Sequence, residues 1–288
     1  MITYISCSKT MVNQLSGQHL PAFTTTPLFE TTAREFAMQL CQIPQEELAE
    51  VLKVSPRLAA EVMLLYRDFC SAEPPALPAI YSYTGVVFKH LNIGDFTPDE
   101  LEYTQAHLRI SSFLYGLLRP LDAIKNYRLE GKVKLPENGN QTMFAYWKPI
   151  LTDLFIEEIK AAGGILFYLA SNEMKDLFDW KKVEKEVRVI TPDFKVMKNG
   201  KLASVTIYAK MCRGEMTRFI LKNRIESVEA LQLFSWEGFR FSPELSNAKK
   251  LLFAAACHFS LKQEQLPKAP VQEHWEAVFA NSHTALFE

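Results

Sequence analysis

Val187-Arg188-Val189-Ile190-Thr191-Pro192-Asp193-Phe194-Lys195-Val196 and Leu202-Ala203-Ser204-Val205-Thr206-Ile207-Tyr208-Ala209 flank the tetrapeptide Lys198-Asn199-Gly200-Lys201. Two apolar, β-branched runs about an Asn-Gly pair are a strong hairpin signal, since the tight turn needs residues that tolerate positive φ. A hairpin joins antiparallel neighbours, which a strictly alternating βαβ chain does not contain. Working outward, short apolar runs predict strands over 1–6, 109–115, 165–169, 239–241 and 251–253. Helical periodicity predicts helices over 31–41, 44–53, 57–70, 143–162, 216–224 and 228–234. The clearest local start signal is Thr97-Pro98-Asp99-Glu100: Thr97 caps, Pro98 occupies the first helical position and Glu100 reaches back. Helices and strands interleave without a regular βαβ repeat. The expectation is therefore an α+β fold, one mixed domain over 1–262 with a mixed sheet and surrounding helices. Residues 263–288 lose periodicity and are expected to form a C-terminal extension.

The chain has 288 residues with a net charge of -1, so overall charge offers no pull toward nucleic acid or anionic membrane. The five cysteines (Cys7, Cys41, Cys70, Cys212, Cys257) include no C-x-x-C pair, which excludes a zinc knuckle or a thioredoxin-like motif. Scattered free thiols suit a reducing compartment. The N-terminus lacks the pattern of a signal peptide, and no run of apolar residues is long enough for a membrane span, so a cytoplasmic location is expected. The six histidines show no metal-ligand spacing, and neither a metal nor a cofactor is called for. G-x-G-x-x-G, the Walker loop and G-x-S-x-G are all absent.

Charge is concentrated between Lys181 and Arg224, where twelve Lys and Arg stand against four acids, a local excess of +8. Lys198 and Lys201 read as hairpin solubilisers. The basic stretch 208–224 is expected to be the working surface, with a strand ending near Lys210, a turn at Arg213-Gly214 and a helix carrying Arg218 and Lys222. Backbone N–H groups at such a helix start, beside Lys210 and Arg213, would form an anion site. Arg218 and Lys222 share one helix face, an arrangement eased by an anionic partner across them. A second cluster surrounds Arg109, Arg119 and Arg128. Arg119 with Asp122 reads as a structural ion pair, whereas Arg128 and Glu130 alternate and can point into one cleft. Ser55-Pro56-Arg57 lies between two helices. It fits either a capped helix start or the second half of a helix-hairpin-helix DNA-binding element lacking its glycines. Cys212 reads as a packed cysteine rather than a nucleophile.

Dispersed motifs in a fixed order carry a resemblance to the YaaA family. They are Ile5-Ser6-x-x-Lys9-Thr10, Tyr83-x-Gly85, Leu114-Tyr115-Gly116-x-Leu118-Arg119-Pro120-Leu121-Asp122, Tyr127-Arg128-Leu129-Glu130, Trp147, Leu169-Ala170-Ser171-Asn172-Glu173 and Tyr208-Ala209-Lys210-x-x-Arg213-Gly214-x-Met216-x-Arg218-Phe219. The resemblance spans about residues 1–255. It implies a family-specific single-domain fold with a positively charged cleft, a helix-hairpin-helix-like element at 55–59, and binding of double-stranded DNA. It also implies a bacterial cytosolic protein that limits iron-dependent oxidative damage under hydrogen peroxide stress. Met211 and Cys212 stand where Lys and Ala are common in the family, which removes one positive charge from the expected cleft. The expected DNA- or anion-binding residues are thus Lys9, Ser55, Arg57, Arg128, Lys210, Arg213, Gly214, Arg218 and Lys222, with DNA contacted through phosphate and little dependence on sequence. The alternative is an enzyme acting on a small anionic or nucleotide substrate in the same cleft, with Glu130, Glu173 and Lys210 as its acid–base candidates. A binding role is placed ahead of an enzymatic one.

Overall fold

A computed structural model describes residues 1–15, 21, 23–71, 76–135, 138–198 and 200–255. Strand β1 (Ile2–Ile5) is followed by helices α1 (Glu30–Gln42), α2 (Gln45–Leu52) and α3 (Pro56–Cys70). Next come β2 (Leu77–Pro78), α4 (Ala79–Ser82), α5 (Val86–Leu91), α6 (Pro98–His107), β3 (Leu108–Ser112), β4 (Gly116–Leu118) and β5 (Ala123–Ile124). The long helix α7 (Met143–Ala161) leads to β6 (Ile165–Tyr168), α8 (Trp180–Glu186), β7 (Arg188–Lys198) and β8 (Lys201–Ala203). Helix α9 (Thr206–Lys222), α10 (Val228–Leu231), β9 (Ser235–Trp236), β10 (Phe239–Phe241) and β11 (Lys250–Ala255) complete the order.

The main sheet runs β4-β3-β1-β6-β7-β11-β10-β9, with β8 paired to β7. Its centre, β3-β1-β6-β7-β11, is parallel throughout, while hairpins add antiparallel strands at both ends. The expected mixed sheet with surrounding helices is therefore present, and its parallel core is the feature that local signals did not reveal. Every residue of β1 and β3 is buried, as strands covered on both faces must be. Tyr4 packs against Phe155, Tyr168 and Phe178, fixing α7 over the sheet. The Trp147 indole donates to the Phe113 carbonyl at 2.8 Å.

Local signals are realised at their positions. Lys198 pairs with Lys201 across the hairpin, and Gly200 adopts φ +74°. Thr97 and Glu100 close a reciprocal capping box on α6. Ser55 accepts from the Leu58 N–H at 3.3 Å and Pro56 opens α3, an ordinary capped helix start. The structure does not show the helix-hairpin-helix element expected there.

The region after the hairpin corrects the expectation. The strand ends at Ala203 and Thr206 already opens α9, so Tyr208, Lys210, Arg213 and Gly214 are all helical. Val205-Thr206-Ile207 favours a strand locally. Burial of Met211, Cys212, Met216, Ile220 and Leu221 on one side of a helix overrides that preference. Gly214 makes no turn. It lies where α9 meets α5, and a Cβ there would sit 2.3 Å from the Val87 carbonyl oxygen. No helix among the described residues is long and apolar enough to cross a membrane. The expected extension 263–288, Cys257 and four of the histidines (His19, His258, His274 and His283) lie outside the described residues.

Candidate functional site

β1 is the point from which the parallel connections diverge: its neighbours are β3 on one side and β6 on the other. In open parallel sheets such a switch point leaves a crevice outside the carboxyl ends of the strands. Here those ends are finished with small hydroxyl residues. Ser6 accepts from the Ser171 N–H at 2.9 Å and donates to the Ser171 hydroxyl at 3.3 Å, tying the β1 loop to the β6 loop. The Cys7 N–H donates to Ser111 Oγ at 3.1 Å, tying the same loop to β3. The loop is also strapped to the segment before α5. Thr84 N–H donates to the Thr10 carbonyl, and a Cβ on Gly85 would fall 2.4 Å from Ser8 Oγ.

Around this crevice lie charged groups far apart in sequence. Lys9 Nζ is 2.8 Å from Glu130 Oε1, and Arg128 Nη2 is 3.4 Å from the same oxygen. The expectation that Arg128 and Glu130 share a face agrees with this contact, although residues 126–130 form no strand. The Tyr66 hydroxyl holds the Arg128 carbonyl at 2.7 Å, while Arg128 Nε is buried without a hydrogen-bond partner among the described residues. Glu173 is exposed beside Ser171, whose hydroxyl donates to it at 3.4 Å. Burial pushes the Cys7 thiol up to about 11, and Glu173 and Lys9 are its neighbouring charges. Beneath lies a buried hydroxyl chain, Tyr83–Tyr127–Ser112, with both contacts at 2.7 Å.

Helix α9 brings Arg213 to the same edge. Tyr168, whose hydroxyl donates to the Ser171 carbonyl at 2.5 Å, feels both Arg213 and Glu173. Among the described residues the Arg213 guanidinium makes no hydrogen bond or ion pair. Burial lowers its pKa from the ordinary value, with Tyr168 and Asp193 pulling the other way. Lys210 precedes it by three residues and is exposed. The arrangement can hold an anionic group at Arg213, beside the Tyr168 hydroxyl, while Lys9 and Arg128 keep the Glu130 carboxylate in place.

The other expected residues lie elsewhere. Arg218 grips Asp95 with both terminal nitrogens at 2.7 and 2.6 Å, and Lys222 reaches Glu100 at 3.0 Å. Both also sit over the Phe96 ring. The anionic partner anticipated across this pair is thus supplied by the chain itself. Ser55 and Arg57 sit at the start of α3, roughly 14 Å along the helix from Tyr66, and Arg57 faces Glu61. The twelve cations of 181–224 are spread over α8, β7, β8, α9 and the turn after it, rather than gathered on one element. Arg119 and Asp122 do pair, at 3.0 Å. Cys212 is buried and burial pushes its thiol up, the state of a packed cysteine. Among the described residues no group of three His, Cys, Asp or Glu is placed to hold a metal. Sequence reasoning missed Ser111 and Tyr168. Their signal was position: each lies at the end of a short buried strand.

The sequence model described as "Peroxide stress protein YaaA" matches residues 1–245. The UPF0246 protein of Phocaeicola vulgatus is 58% identical over 254 residues, covering 88% of this chain and 99% of its own. A UPF0246 protein of Bacteroides fragilis is 57% identical over 253 residues, 88% and 98% of the two chains. That of Clostridium beijerinckii is 34% identical over 259 residues, 90% and 99%. With the family sequence spanning most of the domain that carries the crevice, the chain belongs to the peroxide stress protein YaaA family.

Proposed function

We propose that the protein serves in peroxide stress by binding double-stranded DNA at the carboxyl edge of its parallel sheet, mostly through phosphate. Occupied DNA would then be shielded from the oxidants that iron generates from peroxide. The observation that carries this reading is Arg213, a half-buried cation with no hydrogen-bond or ion-pair partner among the described residues, next to exposed Lys210. A desolvated guanidinium without a carboxylate is suited to a phosphate oxygen pair. Lys9 lies at the same edge, but already spends its charge on Glu130. Two or three phosphate contacts would give a slope of log affinity against log salt of about −2 to −3.

A second reading is favoured by a specific observation. Glu130, clamped by Lys9 and Arg128, and Glu173, beside Ser171, bring carboxylates to the site that phosphate contact does not require. These groups suit acid–base chemistry on a small anionic or nucleotide substrate. One experiment tests both. Binding of a short duplex and of a mononucleotide is measured across a salt series for wild type, Arg213→Ala and Lys210→Ala. Duplex binding that weakens in both variants and falls with salt supports DNA. Mononucleotide binding at least as tight as the duplex, lost in Arg213→Ala, supports the small substrate. Unchanged binding of both probes in both variants would remove this edge from consideration.

A further inference from the structure

Three charged side chains at the crevice converge on one carboxylate oxygen. Glu130 Oε1 lies 2.8 Å from Lys9 Nζ and 3.4 Å from Arg128 Nη2, while Glu130 Oε2 pairs with nothing among the described residues. Arg128 is engaged at one corner only. Nε and Nη2 form the edge with which a guanidinium grips two oxygens at once. On that edge Nη2 makes the long contact to Glu130, and Nε is buried without a partner among the described residues. The backbone under these groups is fixed. Tyr127 and Leu129 are buried and alternate with Arg128 and Glu130. The Tyr127 hydroxyl meets those of Tyr83 and Ser112 at 2.7 Å, Tyr66 donates to the Arg128 carbonyl at 2.7 Å, and the Val133 N–H donates to the Glu130 carbonyl at 3.0 Å. By contrast, the Lys9 and Glu130 side chains are 63% and 36% exposed. Side-chain rotation alone therefore separates them and leaves every one of those anchors intact.

We propose that Lys9 and Arg128 form a subsite for a phosphate monoester, and that Glu130 is its internal stopper, a carboxylate seated there until the phosphate displaces it. This rests on the reading of the crevice as an anion site and identifies what occupies part of it beforehand. One shared oxygen serves two cations poorly: the Lys9 contact is short, the Arg128 contact is long, and Nε is left over. A phosphate monoester offers enough free oxygens for the Nε–Nη2 edge and for Lys9 together. It also brings about two negative charges near neutral pH, against one for Glu130, so the exchange favours the monoester. Glu130 then turns into water, where its charge is solvated. A phosphodiester carries a single charge and fewer free oxygens, so it displaces Glu130 less readily. No covalent bond is made or broken in the exchange. Its effect is a lowered apparent affinity, because the phosphate enters only those molecules in which the subsite is open.

The test measures binding to the full chain of a nucleoside 5′-monophosphate, of the same nucleoside without phosphate, and of a short duplex lacking terminal phosphates. Glu130→Gln keeps the shape of the side chain and removes the competing charge. It is expected to bind the monophosphate about tenfold more tightly than wild type, the factor for a subsite filled about nine-tenths of the time, with nucleoside binding unchanged. Equal affinity in the two proteins overturns the stopper and leaves the anion reading standing. No binding of either phosphate probe by any variant overturns both. A duplex that gains as much as the monophosphate overturns the monoester assignment. Lys9→Met separates contact from remote charge. It is expected to weaken monophosphate binding more in the Glu130→Gln background than in wild type, where Lys9 is already occupied. The same fold-loss in both backgrounds would make Glu130 a distant charge only and overturn the proposal. In wild type itself, the Arg128 Nε–H resonance is expected to move when the monophosphate is added, as a buried donor gains its acceptor. A resonance that does not move overturns the subsite, and this measurement requires no variant to fold.

Discussion

Helix α9 carries two arginines five residues apart whose surroundings differ completely. Arg218 is bound bidentately by Asp95, stacked on Phe96, and its pKa is raised by the hydrogen bonds to that carboxylate. Arg213 is half-buried, makes no hydrogen bond or ion pair among the described residues, and has its pKa lowered by burial. One is a completed structural device that docks α9 against the Ile93–Asp95 turn and α6. The other is a cation whose desolvation is opposed by Tyr168, Asp193 and Cys212, none of them hydrogen-bonded or ion-paired to its guanidinium among the described residues. A half-buried charge left without a close partner costs stability unless a ligand supplies one. A count of lysines and arginines along the chain weighs the two alike, whereas the packing around them gives them opposite roles.

The largest effect is expected where both halves of the helix depend on one contact. Gly214→Ala removes a helix-interior glycine, a gain of up to about 1 kcal/mol. Its Cβ would stand 2.3 Å from the Val87 carbonyl oxygen and 2.6 Å from His90 Cβ, and a backbone oxygen cannot rotate aside. Overpacking should win, with a net loss of about 2 kcal/mol read by denaturant melts. A more stable variant would mean that α5 and α9 are not held as described. Asp95→Ala comes next. It strips Arg218 of its bidentate acceptor and should cost about 1–2 kcal/mol, held down because Asp95 is 48% exposed. The folded Asp95 carboxyl titrates below its ordinary value, chiefly through the Arg218 hydrogen bonds. Its contribution is therefore complete above about pH 4 and disappears as pH falls through the lower, folded pKa. Wild type and Asp95→Ala should thus converge in stability in acid, while DNA binding at neutral pH stays equal in the two.

Arg213→Met inverts that pattern. Removing a partly desolvated cation should leave stability unchanged or raise it by up to about 1 kcal/mol, whereas duplex binding should fall at least about tenfold, or 1.4 kcal/mol. A large stability loss in this variant would make Arg213 a structural residue like Arg218 and erase the contrast.

What was legible in the sequence follows the same division between local and distant causes. The Thr97–Glu100 capping box, the Ser55-Pro56 helix start and the turn at Gly200 each depend on residues within four positions, and each is in place. Arg119–Asp122 is equally local and equally present. The start of α9 was not legible, because Val205-Thr206-Ile207 favours a strand and only burial against α5 and the sheet makes the segment helical. Nor could local signals show that Ser6 meets Ser171 or that Lys9 meets Glu130, contacts that exist only once β1 is paired between β3 and β6. The resemblance in motifs named most of the crevice residues without indicating which were already neutralised. Asp95 and Glu100, lying more than a hundred residues before their partners, decided that for Arg218 and Lys222.

The smallest predicted effect also separates the two kinds of cation at the crevice itself. Lys210 is exposed, and among the described residues it makes no ion pair, so Lys210→Ala should change stability by less than about 0.5 kcal/mol. If Lys210 contacts phosphate it does so through water-screened charge, and its loss should weaken duplex binding by roughly two- to threefold near physiological salt. It should also reduce the salt slope by about one unit, since one fewer counterion is released. At high ionic strength the Debye length shrinks to about 3 Å, and an exposed contact of this kind is screened away. Wild type and Lys210→Ala should then bind alike, while the deficit of Arg213→Met persists because a half-buried guanidinium is screened far less. Affinities measured for both variants from low to high salt give the answer. A Lys210 deficit that survives high salt would show that this lysine, too, is enclosed by the ligand, and that the crevice closes over a small anion rather than lying open along a duplex.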